Sequence, residues 1–116
     1  MPLDESTAAL LWDMHDAASA VQRFAAGRTM EQYLADDLLQ AAVERKIEII
    51  GEAARKVPRD FQQAHPEIPW VKIAGQRHVL AHDYGQIEHD RLWNVVTVHI
   101  PELIKQLVCL LQTGAD

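Results

Sequence analysis

The sequence predicts an all-α fold, an antiparallel four-helix bundle, on three observations. Apolar residues recur at alternating steps of three and four over three long stretches, the signature of helices with one buried face. No stretch alternates apolar and polar residues with β-branched enrichment, so strands have no candidate. The connections between the stretches are short, as between antiparallel neighbours in a bundle, with a shorter fourth helix ahead of the last long one. At 116 residues the chain fits one domain, residues 1–116, able to bury a core without metal or disulfide staples.

The first helix is expected from Ser6 to about Ala26, with Leu10, Met14, Ala17, Val21 and Phe24 as its apolar stripe and Gly27 ending it. Thr29, with Gln32 three residues later, has the pattern of a capping box, opening the next helix or a short helical lead-in before Asp36 and Asp37. Leu39, Val43, Ile47, Ile50, Ala54 and Val57 then trace one long face up to Pro58. Gly51 inside that helix costs up to ~1 kcal/mol against alanine, which the close approach of a neighbouring helix would offset. Residues 58–69 hold three prolines and Phe61, a connector with about one helical turn. Trp70 starts the short helix, and its indole is expected to pack the connector onto the bundle. After Gly85, the residues Trp93, Val96, Ile100, Leu103, Leu107 and Leu110 form the last stripe, which Pro101 is expected to kink.

A net charge of −6 counts against a general nucleic-acid binder, because phosphate neutralisation needs a basic surface; any RNA site must be local and narrow. Arg45-Lys46 and Arg55-Lys56 alternate with Glu44, Glu48 and Glu52, the pattern of exposed helix surface rather than a phosphate track. Glu52 itself reads either as a solvated or ion-paired glutamate or as a group that orients Arg77. The single cysteine, Cys109, lies in an apolar run and is expected to be an inert core or interface thiol. A reducing cytoplasm fits. No stretch has the uninterrupted apolar length of a bilayer crossing, and the acidic N-terminus lacks a secretory pattern, so a soluble chain without membrane contact is expected.

Chemistry concentrates in the stretch from Arg77 to Gly85, which packs an arginine, His78, His82 and Tyr84 into eight positions before a glycine. Gly85 has the place of a residue that closes a helix in the left-handed conformation. His82 then sits near a helix C-terminus, where the exposed carbonyls favour the imidazolium, ready to donate a proton or contact a phosphate. Arg77 keeps its charge and suits a phosphate. At about 100° per residue, Arg77 and Tyr84 share a helix face while His82 points about 140° away from Arg77. Arg77 and His82 meet only if the helix ends or bends before position 82, or if a second copy supplies the missing group.

The pattern R-x4-H-x-Y formed by Arg77, His82 and Tyr84 resembles the signature of HEPN domains, in particular the HepT-like toxins paired with a minimal nucleotidyltransferase antitoxin. Ile47-Glu-Ile-Ile-Gly-Glu-Ala-Ala54, Ile68-Pro-Trp70, Ile73-Ala-Gly75 and Ile100-Pro-Glu-Leu103 resemble that family's segments in the same order, so the likeness runs over nearly the whole chain. The resemblance implies a HEPN-like four-helix bundle and a site facing a cleft between two protomers. It also implies a nucleotidyltransferase partner that adenylylates Tyr84.

Cleavage of RNA through its own 2′-hydroxyl needs a base, an acid for the departing 5′-oxygen and a cation for the phosphoryl oxygens. Arg77 supplies the cation. One His82 cannot be base and acid in a single step, whereas two copies across a homodimer can divide the roles. His78 contacts RNA or orients Arg77, or is a surface histidine. His78 and His82 also have the spacing of two metal ligands on a helix, but Val79 stands where a metalloprotease has its glutamate, so neither metal nor cofactor is expected. The expected function is therefore a metal-independent endoribonuclease toxin acting on mRNA or tRNA. The alternative from another class is a non-catalytic helical module that binds or presents substrate to a nucleotidyltransferase, which the acidic charge favours. Without the resemblance, Arg77 and His82 would read as a buried ion pair or helix cap, Tyr84 as a core or capping tyrosine, and His15, His65, His89 and His99 as surface or core residues.

Overall fold

Asp4 opens the first helix, its carboxylate accepting from the Thr7 amide at 3.3 Å, and α1 runs over Glu5–Ala25 until Gly27 turns the chain at φ 73°, a conformation that favours glycine. These features belong to a computed structural model, which describes residues 3–75 and 89–114. The expected capping box is present in full: the Thr29 amide donates to Gln32 Oε1 at 2.9 Å, and the Gln32 amide donates to Thr29 Oγ1 at 3.1 Å. It opens a short helix, α2 (Met30–Leu34). Asp36 caps α3 (Asp37–Lys56) by accepting from the Leu39 amide at 3.0 Å. That amide, followed by the Arg28 guanidinium at 3.2 Å, holds the Asp36 carboxyl below the usual carboxylate range. Gln40, buried on α3, donates to the carbonyls of Tyr33 and Leu34 at 3.0 and 3.1 Å, tying the end of α2 to α3.

The connector is more ordered than one turn. It contains α4 (Arg59–Ala64), and Gln62 donates back to the carbonyls of Ala54 and Val57, closing the end of α3. Residues 70–75 are helical (α5), opening at Trp70 as the sequence predicts. Trp70 is buried, donates from Nε1 to the His65 carbonyl at 2.9 Å and meets Phe61 edge to face, so its indole does pin the connector. Gln106 completes the attachment by donating to the Glu67 carbonyl at 2.9 Å.

The last stripe lies on a continuous helical run made of α6 (His89–Asn94), a π-helical turn (Val95–His99) and α7 (Ile100–Gly114). The expected disturbance at Pro101 takes the form of that wide turn. Proline has no amide hydrogen and crowds the carbonyl four residues back, and here the Ile100 amide instead reaches the Val95 carbonyl, five residues away. Thr97 gives the Trp93 carbonyl a further partner at 3.0 Å.

The described residues are helical or connecting, with no strand among them. The core is built where α1 lies against both α3 and α7, from Leu11, Met14, Val21, Val43, Ile50, Ile100 and Leu107. Packing on two partners explains one difference from the sequence reading. A single stripe through Leu10 and Phe24 leaves both half-buried, while Leu11 and Ala18 are fully buried, because the contact face of α1 is wider than one row. Cys109 corrects the core half of its expectation and leaves the interface half: it is exposed, since it falls on the outer side of the helix from buried Leu107 and Leu110. Within the helical run His89–Gln112 an 18-residue window has a mean hydropathy of 1.3, so by length and composition this helix is apolar enough to cross a bilayer. Its apolar sequence is nevertheless interrupted, by His99, Glu102 and Lys105, and the core helix of a bundle passes the same test.

Loss of the capping box should be measurable: Thr29→Ala is expected to lower stability by about 1 kcal/mol, read as a lower urea midpoint at unchanged slope. An unchanged midpoint would mean that α2 is held by its packing alone.

Candidate functional site

Arg77, His78, His82 and Tyr84 lie outside the described residues, as does Gly85. The structure describes the frame on either side of them. The chain is described to Gly75, two residues before Arg77, and again from His89, five residues after Tyr84.

On the leading side, Trp70 and Ile68 are buried and hold α5 against the bundle. A groove of about 270 Å³ opens there between α3, α5 and the π turn. Ile47, Ile50, Ile100 and Leu103 give it an apolar floor, and Lys72, His99, Glu67 and Glu102 are exposed around it. Glu52, on α3, is half-buried and pairs with two cations of its own helix, Arg55 at 3.1 Å and Lys56 at 3.5 Å. Arg45 pairs with Glu48 at 3.8 Å, so these basic residues share the helix surface with carboxylates, as their alternation in the sequence suggests.

On the trailing side, α6 begins in a sheltered polar cluster that sequence reasoning missed. Tyr33 of α2 is completely buried, with its ring centroid 5.1 Å from Trp93 and 6.0 Å from His89. Tyr33 Oη and His89 Nδ1 are both shielded from solvent, and neither has a hydrogen-bond partner among the described residues. Glu44 of α3 joins them electrostatically. Burial raises its carboxyl above the ordinary value, and a proton on the nearby His89 ring would work against that rise. The Tyr33 phenol is raised as well, first by burial and then by the negative charge of Glu44. A phenol, an imidazole and a carboxyl from three helices are thus placed where the chain re-enters the bundle after the motif. The only trace of this in the sequence is an aromatic residue in a helix too short to bury it alone.

The other histidines have local company. His15 meets Trp12 edge to face and Asp16 at 3.2 Å, and His65 packs on Phe61 and lies 3.5 Å from Glu67.

Residues 14–110 match the family model described as HepT-like, ribonuclease HepT-like. A probable ribonuclease HepT of Thermococcus cleftensis is 40% identical over 93 residues, which cover 80% of this chain and 84% of that protein. A candidate RNase of Caldanaerobacter subterraneus subsp. tengcongensis is 38% identical over 86 residues, 74% of this chain and 77% of its own length. A candidate RNase of Methanocaldococcus jannaschii is 32% identical over 99 residues, 85% of this chain and 91% of its own. No solved structure matches the chain significantly.

Proposed function

The chain belongs to the HepT-like ribonuclease family, and from that premise we propose that it is a metal-independent endoribonuclease acting at a cleft between two copies of itself. The observation that carries this reading is that the family match spans residues 14–110, the stretch that holds Arg77, His82 and Tyr84. The RNA 2′-hydroxyl is the nucleophile. His82 of one copy takes its proton, the 2′-oxygen forms a bond to phosphorus, and the bond from phosphorus to the 5′-oxygen breaks as His82 of the second copy gives that oxygen a proton. Arg77 holds the charge on the phosphoryl oxygens throughout. His78 contacts the RNA or orients Arg77, and a role for Glu52 in orienting Arg77 belongs to the same proposal.

In this reading the protein is the toxin of a pair acting in the cytoplasm, and its antitoxin is a nucleotidyltransferase that adenylylates Tyr84. Burial supports the choice of residue: of the chain's two tyrosines, Tyr33 is completely buried, which leaves Tyr84 as the candidate hydroxyl. The second reading, a helical module serving a nucleotidyltransferase without cleaving RNA, is favoured by the net charge of −6.

Incubation of the purified chain with single-stranded RNA in EDTA is expected to give fragments ending in a 2′,3′-cyclic phosphate or its opened product. A 2′-deoxy substitution at the cleaved nucleotide should block the reaction. Cleavage of that substrate would require a water nucleophile, and an inactive wild type that binds a nucleotidyltransferase tightly would establish the module instead.

A further inference from the structure

We infer that Tyr33 and His89 form a hydrogen-bonded positioning pair, the phenol Oη donating to the imidazole Nδ1, which fixes α6 at the point where the chain leaves the motif. The two atoms are chemically complementary. A phenol at neutral pH has a hydrogen to give, and a neutral imidazole has one nitrogen that accepts. Both atoms are buried, both are without a partner among the described residues, and their rings are already in edge contact at 6.0 Å. Burying a donor and an acceptor unpaired is costly, so two orphans side by side point to each other. The imidazole turns about its Cβ–Cγ bond through a broad torsion, which is the freedom that pairing would use.

The surroundings are built to hold such a pair. Trp93 packs on the Tyr33 ring, and Gln40 fixes the Tyr33 backbone through its carbonyl at 3.0 Å. Donation from Tyr33 leaves the His89 proton on Nε2, so the pair selects one tautomer. Glu44, from a third helix, acts electrostatically on the Tyr33 phenol and keeps its proton in place for donation. His89 stands five residues after Tyr84, so fixing its ring fixes one of the two chain ends that flank the motif.

The positioning role rests on the ribonuclease reading, whereas the pair itself does not, and the test separates them. In the full chain with 15N-labelled histidine, the His89 ring nitrogens, assigned by their loss in His89→Asn, should report the Nε2-protonated tautomer. In Tyr33→Phe, which removes only the hydroxyl, that signal should shift to a tautomer mixture. A His89 proton on Nδ1, or a tautomer indifferent to Tyr33→Phe, overturns the pair. For RNA cleavage, Tyr33→Phe and His89→Leu should lower kcat about ten- to a hundredfold with KM nearly unchanged, and His89→Asn, whose amide oxygen replaces Nδ1 as acceptor, should recover most of it. Unchanged kcat in a variant with a lowered melting temperature overturns the positioning role and leaves a structural one. Wild-type chain that leaves RNA intact removes the ribonuclease reading and the positioning role with it, while the tautomer measurement still decides the pair.

Discussion

Arg77→Ala and His82→Ala are each expected to reduce RNA cleavage in EDTA by about a hundredfold to ten-thousandfold, the range lost when a charge stabiliser or a proton-transfer group is removed. Mixing the two variants then asks how the site is shared. In a dimer of one Arg77→Ala copy and one His82→Ala copy, only one His82 remains. If both copies of His82 act in each cleavage, as base and as acid, the mixed dimer stays inactive. Recovery of up to half the wild-type rate would mean that one complete site survives on Arg77 from one copy and His82 from the other, with a single histidine per site. Sedimentation at micromolar concentration should show the dimer beforehand, and a monomer that cleaves RNA would remove the shared site altogether.

The periodic parts of this fold were legible because helix packing writes itself locally. The stripe from Leu39 to Val57 predicts the buried face of α3, and Thr29 with Gln32 predicts a cap that forms with both of its hydrogen bonds. Trp70 was readable as a large apolar ring beside Ile73, which packs against the core, although Val71 between them is exposed. What periodicity cannot say is how many neighbours a helix has. Leu11 and Ala18 are core residues because α1 touches two helices at once, and Cys109 is exposed because its run of apolar neighbours wraps around α7. The cluster of Tyr33, Glu44 and His89 was illegible for a stronger reason: three helices supply one residue each, the third more than forty positions on, and no spacing rule joins them. The motif is the reverse case. Arg77, His82 and Tyr84 were singled out by residue chemistry together with the family resemblance, and lie outside the described residues.

Control of the proposed activity is expected to pass through Tyr84. Co-expression with a cognate nucleotidyltransferase should add AMP to Tyr84, seen by mass spectrometry, and should abolish RNA cleavage, while Tyr84→Phe should remain active in its presence. The physical case is local. Each AMP adds a phosphodiester charge seven residues from Arg77 in sequence, a spacing that would put both on one face of a regular helix, together with a bulky base and sugar. The charge offers Arg77 a phosphate that competes with the substrate's, and the nucleotide occupies space that RNA needs, so neutralisation requires no distant change of shape. Tyr33→Phe serves as the control, because a completely buried hydroxyl is closed to a transferase, and that variant should still acquire AMP. If Tyr84→Phe is neutralised as fully as wild type, the partner acts by binding alone, and Tyr84 returns to the role of a tyrosine that caps or packs its helix.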